Sequence, residues 1–356
     1  MAKIRPVRGA THNRESDRFN LPVRAIDGDW RDAQALVDDP PPPLRTSVTV
    51  ERPRTIISRN ASPDLPFDRS INPYRGCEHG CIYCFARPSH AFHDLSPGLD
   101  FESRLFAKPD AAALLRAELA KPGYVPRPMA LGTNTDPYQP IERDWRITRG
   151  IIEVLAETRH PLTITTKSDR VTRDIDLLSA MAAEGLAGVA MSITSLDPKI
   201  AATIEPRAPH PERRLRAVRM LADAGVPVYV SIAPVIPSIT DHELEHLVER
   251  AAEAGAKSCF FIPVRLPHEV APLFRAWLDE YFPDRAGKVM GIIQSLRGGR
   301  DNDPDFFTRM QGAGPWAELM RTRFRIACRK HGLGNRGAPL RTDLFRPPAG
   351  PQGELF

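Results

Sequence analysis

The sequence predicts an α/β fold: a partial (β/α)6 TIM-like barrel with an irregular N-terminal extension and a helical, basic C-terminal region. From about residue 67, short apolar or β-branched runs alternate with amphipathic stretches. The last five runs are centred roughly 27 to 39 residues apart, which is the length of a βα unit and predicts parallel strands joined by right-handed crossovers. Six such units form a barrel two units short of the usual eight.

Six strands are predicted along the chain. They lie at residues 70–72, 129–132, 162–166, 189–193, 228–233 and 259–263. Helix signals lie between them. Thr240 and Glu243 form the T-x-x-E pattern of a capping box, which predicts the start of a helix that Gly255 ends. The stretch 211–224 places three apolar residues on one helical face: Leu215, Val218 and Leu221.

Composition divides the chain into four segments. Residues 1–66, basic and interrupted by four consecutive prolines after Asp39, predict an extension with little regular structure. Residues 67–266 carry the βα units, residues 267–346 predict helices and loops, and residues 347–356 predict a flexible tail rich in proline and glycine. The third segment holds a basic stretch that only Asp343 opposes: Arg321, Arg323, Arg325, Arg329, Lys330, Arg336, Arg341 and Arg346.

Composition also excludes several classes of protein. Hydrophobic residues make up 42% of the chain and charged residues 26%, which allows a packed core and excludes wholesale disorder. No apolar run approaches the ~20 residues that cross a bilayer, and the N-terminus lacks the apolar region of a signal peptide. We therefore expect a cytoplasmic protein with no membrane partner. The net charge of +5 is compatible with an acidic partner such as DNA.

Three of the five cysteines form a C-x3-C-x2-C motif, Cys77, Cys81 and Cys84, directly after the first predicted strand. Three thiolates in a tight loop can hold three irons of a 4Fe–4S cluster, which normally takes four cysteines. The fourth iron is then open to a small molecule. The alternative is a zinc site whose fourth ligand is a nearby histidine: His79, His90 or His93. We interpret these histidines as solvent-facing loop residues.

The motif, with Tyr83 before its last cysteine, resembles the signature of radical S-adenosylmethionine (SAM) enzymes. The resemblance covers about residues 67–266 and implies a partial six-stranded barrel, the radical SAM core. It also implies that SAM binds the open iron of a 4Fe–4S cluster. One electron, from a donor such as flavodoxin or ferredoxin, would then cleave SAM to methionine and a 5′-deoxyadenosyl radical that abstracts hydrogen from the substrate.

Within that superfamily, three segments resemble the branch that contains spore photoproduct lyase, a DNA-repair enzyme. They are residues 83–86, 132–140 and 165–168. The chain departs from the branch at one point, because it has no cysteine between the second and third predicted strands to act as hydrogen donor. We therefore expect lyase-type repair or modification of nucleic acid, but not repair of the spore photoproduct itself.

Chemistry in βα barrels gathers at the carboxyl ends of the strands, and this rule selects the candidate SAM-binding residues. Asn134 and Asp136 follow the second strand, where the family binds the SAM amino group. Lys167 follows the third strand and suits the SAM carboxylate, with Ser168 beside it. The remaining candidates end or follow the fourth strand: Ser192, Thr194, Glu205 and Arg207. No catalytic residue is assigned.

The chain ends in Gln352-Gly-Glu-Leu355-Phe356. Gln-x-x-Leu-Phe resembles the peptide by which bacterial repair and replication proteins bind the sliding clamp. The resemblance implies a clamp partner that binds through Gln352, Leu355 and Phe356, and an incidental Leu-Phe terminus is the alternative. Three functions stay open: a radical SAM enzyme acting on nucleic acid, one acting on a protein or small molecule, and a non-catalytic zinc-binding nucleic-acid module.

Overall fold

The main sheet has seven strands, six of them parallel, in the computed structural model of the protein, which describes residues 8–16, 18, 44–333 and 339–348. The parallel strands follow one another in chain order across the sheet. They are β3 (Arg69–Ile71), β6 (Met129–Leu131), β7 (Leu162–Thr166), β8 (Ala187–Ser192), β9 (Val228–Val235) and β10 (Ser258–Pro263). All six coincide with predicted strands, within about two residues at each end, so the α/β prediction is confirmed.

The burial of the strands agrees with their apolar sequences. Strands β6 to β9 are mostly buried, as expected of parallel strands that helices cover. The α-helices are α1 (Asp100–Ser103), α2 (Ala111–Leu119), α3 (Glu142–Trp145), α4 (Ile147–Glu157), α5 (Ile175–Ala183), α6 (Pro198–Ile204), α7 (Pro211–Asp223), α8 (Leu244–Glu253), α9 (Val270–Tyr281), α10 (Pro283–Ser295) and α11 (Gly314–Lys330). In α7 the predicted face, Leu215, Val218 and Leu221, is buried.

The extension predicted to be irregular contributes two strands. β2 (Ser58–Arg59) adds an antiparallel edge to β3, and β1 (Ser47–Val50) runs parallel to β5 (Arg104–Ala107) in a second sheet. The third member of that sheet is β4 (Tyr74–Arg75), antiparallel to β5. Both strands of the extension pair through backbone groups, β1 with a partner distant along the chain, and composition does not reveal such pairing. Residues 1–7, 17 and 19–43 of the extension lie outside the described residues.

The predicted capping box is wrong. A 3-10 turn, Asp241–Glu243, precedes α8, and the Thr240 hydroxyl accepts a hydrogen bond from the backbone N–H of Ile236 over 2.9 Å. The Glu243 carboxylate instead accepts hydrogen bonds from Ser195 Oγ and Leu196 N, both at 2.6 Å. Tertiary partners therefore take the oxygens that the local pattern assigns to a cap. Gly255, at φ +88°, does follow the end of this helix, as predicted.

Helices α9 to α11 make up the C-terminal region, in agreement with the predicted helical segment. Two of its arginines are paired: Arg323 with Glu245 and Arg341 with Asp343, both at 2.6 Å. Arg336 and the proposed clamp peptide, residues 352–356, lie outside the described residues. Across the ranges that the structure does describe, no helix combines the length and apolarity needed to span a bilayer.

Candidate functional site

The three motif cysteines lie in one loop, residues 76–84, which we call the cysteine loop. It follows β4, and its backbone is fixed to α1 because Cys77 N donates to the carbonyl of Phe101 over 2.9 Å. Cys77 and Cys81 are buried and Cys84 is half-buried, and all three are free thiols. The sequence therefore places three sulfurs on a short segment that is largely shielded from solvent.

Two glycines let the cysteine loop turn this tightly. Gly76 and Gly80 have φ values of +71° and +67°, a region that other residues rarely adopt. A Cβ on Gly76 would lie 2.8 Å from the Phe101 carbonyl oxygen, and one on Gly80 would lie 2.7 Å from Oε2 of Glu102. Both positions thus need glycine for backbone conformation and for space.

The donor set fits an iron–sulfur cluster. Thiolate sulfur is the ligand that such clusters take. A cubane uses one cysteine per iron, so the three sulfurs need to lie around the cluster and do not need to converge on the position of a single metal ion. Within the described ranges, no three His, Cys, Asp or Glu side chains are grouped to hold a metal ion. Burial raises the pKa of Cys81 to about 12, while the nearby Lys167 ammonium opposes that shift. Iron would replace the proton that burial otherwise retains on these sulfurs.

The expectation that the nearby histidines face solvent is wrong for two of them. His79 and His90 are buried, and His93 is partly exposed. The Nδ1 atom of His79 lies 3.3 Å from Oδ2 of Asp136, and Nε2 of His90 donates to the Arg104 carbonyl over 2.9 Å. Burial lowers the pKa of His90 to about 4. Each of these two rings therefore uses one nitrogen on a contact within the chain.

At the carboxyl end of β6, the two predicted residues differ in their surroundings. Asn134 is exposed, whereas the Asp136 side chain is 9% exposed and already has several partners. Its carboxylate accepts hydrogen bonds from Thr166 Oγ1 and Lys167 N, both at 2.7 Å. Burial would raise the pKa of Asp136, but the His79 charge and these donors outweigh it and lower the pKa to about 2. Asp136 thus joins the ends of two strands to the cysteine loop.

Lys167 lies at the end of β7, above the ring of Tyr83 in the cysteine loop. Its Nζ is 5.7 Å from the ring centroid, a cation–π arrangement. Burial would lower the pKa of Lys167, but the neighbouring acidic groups of Cys81, Glu205 and Asp136 outweigh it and raise the pKa. The structure therefore presents an ammonium whose charged form is favoured by its neighbours, beside the motif cysteines.

Glu205 is a buried carboxylate that holds Tyr83 of the cysteine loop in place. It accepts hydrogen bonds from the Tyr83 hydroxyl and, over 2.7 Å, from the Thr194 hydroxyl, and lies 2.5 Å from the Arg214 guanidinium. Burial would raise the pKa of Glu205, but Arg214, Lys167 and the two hydroxyls lower it to about 2. Ser192 is buried at the end of β8, and its carbonyl accepts from Arg214 over 3.1 Å. The carboxylate thus fixes the aromatic ring of the motif.

A cleft of about 430 Å³ opens beside the cysteine loop at the carboxyl ends of β6, β7 and β8. Three arginines line it: Arg170, Arg207 and Arg213. Arg213 bonds Asp169 over 2.7 Å, and Arg207 bonds Glu78 of the cysteine loop over 2.9 Å. The cleft therefore combines proximity to the motif with guanidinium groups that suit anions.

The structure brings Asp136, Lys167 and Arg207 into contact with residues of the cysteine loop, and it leaves Asn134 exposed nearby. Several buried charged residues were not predicted from the sequence, among them Arg87, Glu102 and Arg214. They form no local motif, since their importance comes from tertiary partners. Their only sequence signal is the position of Arg87, three residues after the last motif cysteine.

A family model described as the radical SAM superfamily matches residues 71–251, just over half of the chain. The chain belongs to the radical SAM superfamily. The prediction made from the cysteine motif is thereby confirmed, and membership implies a 4Fe–4S cluster and SAM as cofactors.

Similar sequences occur in bacteria and archaea. An uncharacterized protein of Mycobacterium tuberculosis is 38% identical over 65% of this radical SAM chain and 68% of its own length. An uncharacterized protein of Methanocaldococcus jannaschii is 28% identical over 60% of this chain and 76% of its own length. The names of these relatives state no activity.

Among solved structures, spore photoproduct lyase complexed with dinucleoside spore photoproduct is similar to this radical SAM chain with a TM-score of 0.56. The match covers 87% of this chain and 85% of the lyase at 18% identity. A lyase mutant with bound AdoMet and the same dinucleoside has a TM-score of 0.50 over the same shares. At this identity the likeness concerns the fold, which the two proteins share over most of their length.

Proposed function

We propose that the protein is a radical SAM enzyme that holds a 4Fe–4S cluster through Cys77, Cys81 and Cys84 and acts on nucleic acid, as a lyase-type repair or modification enzyme. The observation that carries the proposal is the cysteine loop itself, beside the carboxyl ends of the six parallel strands in a chain of this superfamily. When bound, the reduced cluster supplies one electron that cleaves SAM to methionine and a 5′-deoxyadenosyl radical.

The residues around the cysteine loop have separate roles in this proposal. Lys167, which stays charged, binds the carboxylate of SAM. Glu205 orients Tyr83, and the ring of Tyr83 in turn supports the Lys167 ammonium. Asp136 fixes the backbone of Lys167 and contacts the cysteine loop through His79. In the proposal, Asp136 and Asn134 also contact the amino group of SAM.

Ser192 and Arg207 complete the proposed SAM site. Both lie at or after the end of β8, on the same edge of the sheet as Lys167. Arg207 is tied to Glu78, so its guanidinium is held beside the cysteine loop at 31% exposure. A flavodoxin or ferredoxin is the proposed source of the electron.

The proposal of a nucleic-acid substrate is supported by the charges of the cleft. Arg170 and Arg213 are exposed and Arg207 partly so, at an opening that adjoins the cysteine loop. Guanidinium groups bind phosphates, and such contacts weaken steeply as salt rises because counterions are released. The net charge of +5 and the fold shared with a DNA-lesion enzyme agree with this assignment.

The test is anaerobic turnover of reconstituted enzyme with SAM and a panel of damaged DNAs, followed by the yield of 5′-deoxyadenosine. A lesion that raises the yield above the DNA-free level identifies the substrate class. Arg170→Ala should weaken DNA binding and its salt dependence, whereas Arg104→Ala, an exposed arginine outside the cleft, serves as the matched control. Brown, SAM-cleaving protein that no nucleic acid stimulates or binds would favour a protein or small-molecule substrate. Colourless protein that holds zinc would contradict the proposal altogether.

A further inference from the structure

An N-terminal segment lies directly against the cysteine loop. Residues 8–16, which we call the strap, run alongside the cysteine loop, although the two segments are distant from each other in sequence. The backbone N–H groups of Gly9 and Ala10 donate to the two carboxylate oxygens of Glu102, over 2.9 and 2.8 Å. Ala10 belongs to the same buried cluster as Cys81. The strap therefore packs on α1 and shares a buried apolar cluster with a motif cysteine.

The closest approach is between two glycines. A Cβ on Gly9 would lie 1.6 Å from the carbonyl oxygen of Gly80 and 2.8 Å from its carbonyl carbon. Real Cβ atoms do not come this close to backbone atoms, so any other residue at position 9 must push the strap away from the loop. The two backbones are in contact, with no layer of water between them at this point.

Glu102 joins the strap to the cysteine loop. Its side chain is fully buried and lies 2.5 Å from the guanidinium of Arg87, which is also fully buried. Arg87 donates to the carbonyl of Cys81 over 2.9 Å and to that of Gly80 over 3.2 Å. One carboxylate thus bonds the strap on one side and, through Arg87, the cysteine loop on the other. Burying two charges costs desolvation free energy, which is offset only when the remaining oxygens and N–H groups of the pair are hydrogen-bonded, as they are here.

Both ends of the strap are also fixed. At one end Arg8 donates to the Leu44 carbonyl over 2.8 Å and to the carbonyl of Glu102 over 2.5 Å. At the other end the Ser16 hydroxyl donates to the carboxylate of Glu269, the residue that directly precedes α9. These contacts hold the strap between the segment that precedes β1 and the residue that precedes α9.

We propose that the strap is a wall of the cluster site, that Glu102 is its positioning residue, and that it keeps water and oxidants from the cluster in the cysteine loop. The inference rests on the proposed function, because it assumes that the loop holds a cluster. Solvent exposure is one of the factors that set the potential and reactivity of iron–sulfur clusters. Opening the strap should therefore expose the cluster without removing a ligand.

The test compares Gly9→Ala with Gly287→Ala. The first places a methyl group against the Gly80 carbonyl, whereas the second adds one in α10 where nothing lies within 4 Å. Both proteins and the wild type are reconstituted anaerobically and brought to equal iron content. The readouts are the rate at which visible absorbance is lost in air, the rate of iron release to a chelator, the cluster potential, and tryptic cleavage after Arg14.

We expect Gly9→Ala to lose its cluster about fivefold faster or more, with faster cleavage after Arg14 and a shifted potential, while Gly287→Ala matches the wild type. Glu102→Gln, which keeps the size of the side chain but not its charge, should act in the same direction. Faster cleavage with unchanged cluster loss would overturn the role of the strap as a shield. Unchanged cleavage and unchanged loss would overturn the contact itself. Wild-type protein that assembles no cluster would instead contradict the proposed function, so the two failures are distinct.

Discussion

The carboxylate of Asp136 lies 3.3 Å from Nδ1 of His79, and this contact joins the segment after β6 to the cysteine loop. The same carboxylate accepts from Lys167 N over 2.7 Å. Asp136 therefore links three parts of the site before any ligand binds: the loop of the motif, the end of β6 and the end of β7.

Asp136→Asn should destabilise the protein even without SAM or cluster. The amide keeps one acceptor oxygen but turns an NH2 group toward a donor that the carboxylate satisfied, and it removes the charge opposite His79. We expect the free energy of unfolding to fall by about 2 kcal/mol, measured by urea denaturation of the metal-free protein. Asn134→Ala, at an exposed position of the same loop, is the control. Unchanged stability would mean that Asp136 serves ligand binding alone.

Removal of any motif cysteine should abolish SAM cleavage. Cys77→Ala, Cys81→Ala and Cys84→Ala each deprive one iron of its ligand, so reconstituted protein should lose the visible absorbance of the cluster and most of its iron. Cys328→Ala is the matched control, because that cysteine is buried in α11 and outside the motif. Iron analysis and the yield of 5′-deoxyadenosine check the prediction. A motif variant with wild-type iron and activity would contradict it.

The sequence predicts the strands and the motif because both are local patterns. Buried parallel strands are short apolar runs, and three cysteines within eight residues are visible without a structure. The buried carboxylates are different, because their partners are remote. Glu102 binds Gly9 and Ala10, 93 and 92 residues away, and Glu243 binds Ser195, 48 residues away. Glu243 even matches a local capping pattern that the tertiary contacts override.

Lys167→Ala should weaken SAM binding and leave the cluster intact. The ammonium is the charged group proposed for the SAM carboxylate, and it contacts the cysteine loop through the ring of Tyr83, not through a ligand atom. We expect SAM affinity to fall about tenfold or more, as measured by equilibrium binding, with unchanged visible absorbance. Lys199→Ala, an exposed lysine at the start of α6, should bind SAM normally. Failure of the cluster to assemble would show that Lys167 has a structural role instead.

Deletion of residues 352–356 tests the proposed clamp partner. If Gln352, Leu355 and Phe356 bind a sliding clamp, the truncated protein should lose retention on immobilised clamp and keep its cluster and SAM cleavage. Gly353→Ala changes a position between the proposed contacts and should be retained like the wild type. Equal retention of truncated and full-length protein would rule out the tail as a clamp-binding peptide.

His160 should make stability depend on pH well away from the site. It is fully buried, and burial lowers its pKa to about 4. Its Nδ1 donates to the Pro161 carbonyl over 3.0 Å, and its Nε2 accepts from the Tyr124 hydroxyl over 2.8 Å, so the neutral ring is fully bonded. The unfolded chain binds a proton on this ring below about pH 6.5, whereas the folded chain does so only near pH 4.

Protonation of the unfolded state therefore lowers the free energy of unfolding as the pH falls from about 6.5 to about 4. Between pH 7.5 and pH 5 the contribution of His160 is about 2 kcal/mol. His160→Gln removes the titrating group, so its destabilisation relative to the wild type should shrink by that amount over this range. Urea denaturation of both proteins at the two pH values measures the difference. A constant difference between variant and wild type would mean that His160 titrates alike in the folded and unfolded chains.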